Sequence, residues 1–278
     1  MAKVNTSFLY HRLADRLMQF IACVFLSLLL VGCASEEGDT TTLDQLQGLG
    51  QGSNVAGSTG LNSIRAAALQ ETALSVGAQG GLSERSKQIN TTLAANSASL
   101  DNIFNFNLMM LDHNVLPPVL VQGEASLALD DDNTIRIADR TYQIISQARF
   151  VTTPPNWRDY LWLNYSKPAL PDNSLLPKNS NERDIWKKYA ALGWQNGATQ
   201  ANTIYITNLA RLKRDFMGMV RYRVLLSQHM VSAPFVATTD LGVTGDNSNL
   251  RINDQVLRIT ALPSLQTNSK LWRPVINQ

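Results

Sequence analysis

The chain has 278 residues, 44% of them apolar, with 24 basic against 22 acidic side chains and only two cysteines, Cys23 and Cys33. These figures exclude a disordered chain, a collagen-like repeat and a disulfide-built scaffold, and leave room for one large domain or two small ones. The positive excess lies in Lys3, Arg12 and Arg16 against Asp15; beyond residue 32 there are 21 groups of each sign, so no electrostatic case for nucleic acid or acidic lipid remains.

Those early basic residues precede an apolar run, Leu17 to Val31, interrupted only by Gln19 and Ser27. As a helix it would span ~22 Å, short of the ~30 Å hydrocarbon core, so it reads as a secretory signal. Leu30-Val31-Gly32-Cys33 resembles the lipobox of bacterial lipoproteins. That resemblance implies cleavage of residues 1–32, a covalent lipid on Cys33 and, with Ala34 following, sorting to the outer membrane; a plain transmembrane anchor is the alternative. No other thiol would remain for a disulfide or a metal. Residues 33–61, with Gly48, Gly50, Gly52, Gly57 and Gly60, read as a lipidated flexible tether. Leu43, Leu46 and Leu49, at near-helical spacing, offer the alternative of ordering against a partner.

A single folded periplasmic domain is expected over 62–278. Asn62 or Ser63 can cap a short helix ended by Gly77, and Ser83 begins a longer one carrying Ile89, Leu93, Leu100, Phe104, Leu108 and Leu111 until Pro117-Pro118. Short extended runs follow at 118–121, 126–129, 134–137 and 140–145, with turn signals at Asp130 to Asn133 and at Ala138-Asp139. Pro154 to Tyr160 reads as a helical turn with proline near its start. After a polar loop over 167–180, a helix carries Ile185, Trp186, Tyr189 and Leu192; Gly193 and Gly197 break it. A long helix from about 200 to 230 has Ile206, Leu209, Phe216, Val220 and Val224 as its stripe, and strands return at 235–238, 241–244, 249–252 and 255–262.

The order of long helix then strands occurs twice. At an offset of 116, His113, Val115 and Pro118 match His229, Val231 and Pro234. At 115, Arg136, Ile137, Asp139 and Ile144 match Arg251, Ile252, Asp254 and Ile259, and Thr152, Trp157 and Arg158 match Thr267, Trp272 and Arg273. Residues 83–162 and 199–277 therefore read as a duplicated helix-plus-hairpin unit, packed about a pseudo-twofold axis and sharing an antiparallel sheet, with 163–198 inserted between. The fold class is α+β.

The search for chemistry is negative: no Gly-x-Ser-x-Gly elbow, phosphate loop or His-Glu-x-x-His is present. His113 and His229 lack companion ligands, so helix C-termini explain them better than a metal does. The run from Asp130 lacks the Gly and Glu that a calcium loop needs at its sixth and twelfth places. Arg211, Lys213, Arg214, Arg221 and Arg223 spread round a helix as a solvated or partner-facing surface rather than a DNA site. Trp157, Arg158, Tyr160, Trp162, Trp272 and Arg273 are residue types favoured as interface anchors and stand as the candidate partner surface, with core packing as the competing reading.

Ile137-Ala138-Asp139-Arg140-Thr141-Tyr142, Gln147 to Val151 and Pro155 to Leu161 resemble the DotC family, outer-membrane lipoproteins of type IVB (Dot/Icm) secretion systems related to the TraI lipoprotein of IncI-type conjugation systems. Gly193-Trp194, Arg214-Asp215-Phe216, Gly218-Met219 and Asn253-Asp254 carry the same likeness, which spans about 62–274 plus the lipobox. It implies a non-enzymatic subunit of the outer-membrane core complex, without cofactor, present in many copies in a ring. The implied partners are a DotD-like lipoprotein and a DotH-like core subunit, serving effector translocation or conjugation. An envelope enzyme or ligand-binding lipoprotein is the alternative, and would need a converging carboxylate pair or a deep apolar cavity.

Overall fold

The computed structural model describes residues 41–50, 63–131 and 133–273. Helices α1 (Leu43–Gln47), α2 (Ser63–Ala95), α3 (Ser97–Ile103), α4 (Trp157–Leu161) and α5 (Ser180–Ser227) combine with strands β1 (Val115–Leu116), β2 (Val119–Asp131), β3 (Thr134–Ser146), β4 (Arg149–Phe150), β5 (Phe235–Gly245) and β6 (Leu250–Ala261), an α+β fold. The described residues divide into two compact units: the described parts of 101–157 and 211–273 form the first, and those of 41–50, 63–100 and 158–210 the second. The signal segment and Cys33 lie outside the described residues.

In the second unit α2 and the N-terminal part of α5 run parallel, since paired residues rise together: Arg65 with Glu182, Gly77 with Ala190, Gly81 with Trp194, and Arg85 with Asn202. Glycine makes this packing possible. A Cβ at Gly77 would strike the carbonyl oxygen of Ala190, and one at Gly81 that of Trp194. Reciprocally, a Cβ at Gly193 would strike the carbonyl of Leu74, and one at Gly197 that of Ala78. Gly77 and Gly81 lie 116 residues before Gly193 and Gly197, as Leu74 and Ala78 do before Ala190 and Trp194, so the contact is twofold-symmetric. Residues that read as helix breakers are thus the contact surface: α2 continues past Gly77, and α5 is one helix of 48 residues. A mid-helix glycine costs ~1 kcal/mol, which close backbone packing here offsets. The duplication accordingly begins at the starts of α2 and α5, earlier than 83 and 199, and the connection shrinks to 163–179.

At the N-terminal end Asn179 caps α5, its side chain accepting from the Glu182 amide at 2.9 Å. Arg65 grips the buried Glu182 carboxylate with Nε and Nη2 (2.7 and 2.9 Å) and donates to the carbonyls of Ser174 and Leu176. Arg65 is the main reason that carboxyl titrates below its ordinary range. Leu69, Ala73, Trp186 and Ala190 form the core there. Part of the expected tether joins it: Thr42 caps α1 through a capping box, Leu46 is fully buried, and its carbonyl accepts from Trp186 Nε1 at 2.8 Å. The segment 163–165 is strapped to α2 by Asn90, which donates to and accepts from Leu163, and by Ser83, which donates to the Tyr165 carbonyl.

The first unit holds the two hairpins. β2–β3 and β5–β6 are separate two-stranded antiparallel sheets, and β1–β4 is a third; the shared sheet is absent because neither hairpin pairs with the other. Their registers are nonetheless equivalent. Val119 pairs with Ser146 and Leu120 with Ile144, leaving Ile145 over; Phe235 pairs with Ala261 and Val236 with Ile259, leaving Thr260 over. The ladders then agree residue for residue down to Glu124–Arg140 and Asp240–Gln255. Beneath them Val115 pairs with Phe150 as Val231 does with Leu265, and Val151 donates to Asn114 as Gln266 does to Met230. Segments 134–145 and 249–260 are therefore related elements.

The Ala138-Asp139 turn signal is overturned, because β3 runs through it; left-handed backbone occurs at this level in both hairpins, at Ala125 in the first and at Gly242 and Asn253 in the second, but only the second also shifts register there. The hairpins differ at their roots. Leu120 packs with Tyr222, Leu225 and Val231, and Gly218 lets α5 approach Val119 and Leu120. Val119 is 4% exposed, whereas its counterpart Phe235 is 63% exposed. Burial raises the Tyr222 phenol to about 12, and its hydroxyl donates to the Ser232 carbonyl.

Candidate interaction surface

The candidate anchors separate under the structure. Trp157 is fully buried, its Nε1 donating to Asp101 at 2.7 Å, so it belongs to the core and not to a partner surface. Arg158 and Tyr160 are half-buried. Trp162, Trp272 and Arg273 are exposed, with Trp272 Nε1 donating to the Gln266 carbonyl and the Arg273 amide to that of Gln228. The aromatic block is thus not one surface.

The basic stretch of α5 serves the fold. Arg221 donates to the Leu120 carbonyl and Arg223 to that of Leu108, while Arg214 pairs with Asp215. His113 and His229 both adopt left-handed backbone, with φ of 60° and 58°. His229 ends α5 in a Schellman arrangement: Met230 N–H donates to Leu225 O and His229 N–H to Leu226 O. Chain reversal, rather than the helix dipole, accounts for the matched histidines. Among the described residues no group of His, Cys, Asp or Glu is arranged to hold a metal ion.

An open cavity of about 460 Å³ lies against the root of β5, lined by Leu111, Asp112, His113, Arg223, Pro234 and Val236 among others. Its wall mixes charge with aliphatic groups, unlike the deep apolar cavity a small-ligand carrier requires.

The largest unassigned surface is on the hairpins. Leu127 stands opposite Ile137 and Leu129 opposite Ile135, which puts all four on one face of β2–β3. In β5–β6, Val243 stands opposite Ile252 and Gly245 opposite Leu250, the equivalent positions. These seven aliphatic side chains are 55% to 75% exposed. The opposite faces carry Ala128 with Arg136 and Thr244 with Arg251. Aspartates fix both turns: Asp131 accepts from the Asn133 amide and the Thr134 hydroxyl, and Asp246 from the Ser248 amide and hydroxyl and the Asn249 amide. Those bonds hold the Asp246 carboxyl down at about 2. Sequence reasoning placed the strands but missed this surface. Its signal is the alternation Leu127-x-Leu129, Ile135-x-Ile137 and Leu250-x-Ile252, which normally marks a face buried within its own chain.

No described helix is long and apolar enough to cross a membrane. A search of curated proteins finds no match. A family model described as type IV secretory system, conjugal DNA-protein transfer, matches residues 63–274, the span of both repeats.

Proposed function

Because the chain belongs to this TraI family of type IV secretory systems, we propose that it is a structural lipoprotein of the outer-membrane core complex, held to the membrane by lipid on Cys33. It is an envelope-associated secretion component by family; the anchor, the membrane and the role are the proposal. In this reading the protein catalyses nothing and needs no cofactor beyond its lipid. Two or three acyl chains at ~0.8 kcal/mol per buried CH₂ anchor it firmly, and the folded units present docking surfaces in the periplasm to a DotD-like lipoprotein and a DotH-like subunit.

The observation that carries this reading is the pair of exposed apolar hairpin faces. A water-soluble body rarely leaves such faces bare unless another protein covers them. The test is gentle detergent extraction of native membranes, purification through a C-terminal tag and mass spectrometry, alongside Cys33→Ser. Recovery of a large assembly containing a second small lipoprotein and a larger periplasmic subunit, lost with Cys33→Ser, is expected. A monomer from the wild-type chain would overturn the proposal and turn attention to the cavity beside Asp112 and His113.

A further inference from the structure

We propose that helix α1 is a clamp that sets how far the second unit stands from the membrane, tying that unit to the lipid of Cys33 at Thr42 instead of at the start of α2. The inference rests on the lipid-anchor reading and adds to it the length of the connection.

Five residues are too few to hold a helix by themselves, since isolated helices shorter than ~12 residues are marginal in water. Helix α1 is therefore ordered by what it touches. Leu46 is fully buried, and Trp186 donates from Nε1 to its carbonyl at 2.8 Å. Gly80 of α2 leaves the room that Leu46 takes: a Cβ there would lie 2.7 Å from Leu46 Cδ1 and 3.0 Å from the Trp194 ring. Leu49 packs on the cluster of Leu69, Ala73, Trp186 and Ala190. Gly50, with φ of 82°, lies so close to Pro177 that a Cβ would stand 2.5 Å from the proline carbonyl oxygen. The run from Leu46 to Gly50 is thus seated on α2, on α5 and on the loop before α5, all within the second unit.

Where this seat falls along the chain decides the reach. A chain spans at most ~3.6 Å per residue, whatever its conformation. From Cys33 to Thr42 that bound is about 30 Å, and from Cys33 to Ser63, where α2 begins, it is about 100 Å. With α1 seated, the short arm alone carries the distance. Residues 51–62 then join two points of the same unit and add nothing to it. Release of α1 would hand the connection to the long arm, uncover Trp186 and take from its Nε1 the acceptor it now has. A buried donor without an acceptor is unfavourable, and that cost holds the clamp shut.

The test uses the purified full-length lipidated chain in phosphatidylethanolamine–phosphatidylglycerol vesicles that contain an acceptor lipid. Thr207→Cys carries the donor dye at an exposed position of α5 in the second unit, and energy transfer reports its height above the bilayer. A twelve-residue Gly/Ser insertion, about 20 Å in r.m.s. length, placed between Ser35 and Glu36 should move the donor outward by on the order of 10–20 Å. The same insertion between Ala56 and Gly57 should leave transfer unchanged. Leu46→Asp should open the clamp, so that the donor moves outward without an insertion and the insertion after Ala56 acts as well. Where Leu46→Asp loses protease resistance, the two insertions decide alone, because they leave every seat residue in place. Equal loss of transfer from both insertions in membrane-bound chains overturns this proposal alone, as does a height that responds to neither. A chain that stays in the aqueous fraction without lipid on Cys33 overturns the anchor reading and this proposal with it.

Discussion

Single residues whose chemistry suggests a site turn out to answer local backbone demands. His229 occupies the left-handed position after α5, which glycine fills at no steric cost. His229→Gly should therefore raise stability by about 0.5–1 kcal/mol, and His229→Val should lower it; urea unfolding decides the sign. Glu182 is buried against a half-exposed Arg65. Arg65→Ala strands the carboxylate and should cost about 2–3 kcal/mol, discounted from a fully buried pair. The Asp246 carboxyl is held at about 2 by the turn it accepts from. Its folded value lies below the unfolded one, so its contribution is complete above the ordinary carboxylate range and fades as pH falls through about 2. A carboxyl NMR titration should find that midpoint, and Ser248→Ala should move it upward.

Elements show where local pattern misleads. Helix existence was legible from Ile89, Leu93, Leu100 and Phe104, all of which turn inward to buried positions. The stripe of α5 was legible only in part: Phe216 is buried, but Ile206 is exposed, while Ala201, Tyr205, Leu212 and Met219 are buried. Apolar spacing alone cannot say which of two overlapping stripes meets a partner helix. Gly77, Gly193 and Gly197 read as breakers because propensity counts only what a glycine loses within its own helix. Gly197→Ala would stabilise an isolated helix; here the added methyl meets the Ala78 carbonyl. It should lower stability by about 1–3 kcal/mol, as overpacking does, and thermal unfolding would show the reversal of sign. Strand positions were legible from alternation, whereas the continuity of β2 and β3 was not, since Ala138-Asp139 looks like a turn and sits within a ladder.

For the whole molecule, the duplication was legible from ten matched residues, and the structure extends it to the glycine contacts and both ladders. The candidate anchors were not separable by sequence, because Trp157 and Trp272 match in the repeat yet one is buried and the other exposed. Leu129 and Ile137 are 75% and 71% exposed, so Leu129→Asp with Ile137→Asp should leave stability within about 0.5 kcal/mol of wild type. Sedimentation of the detergent-extracted protein should at the same time show loss of the assembled species.

The reciprocal glycine contact has a historical meaning. Helices α2 and α5 present glycines to each other at the same places, each against a backbone carbonyl of the other, which is the arrangement of two identical helices meeting across a dyad. The glycine-packed pair α2–α5 thus has the form of a fused dimer of helices. Once one gene encoded both halves, symmetry no longer bound them to change together. One hairpin root could close over Val119 while the other kept Phe235 in the open.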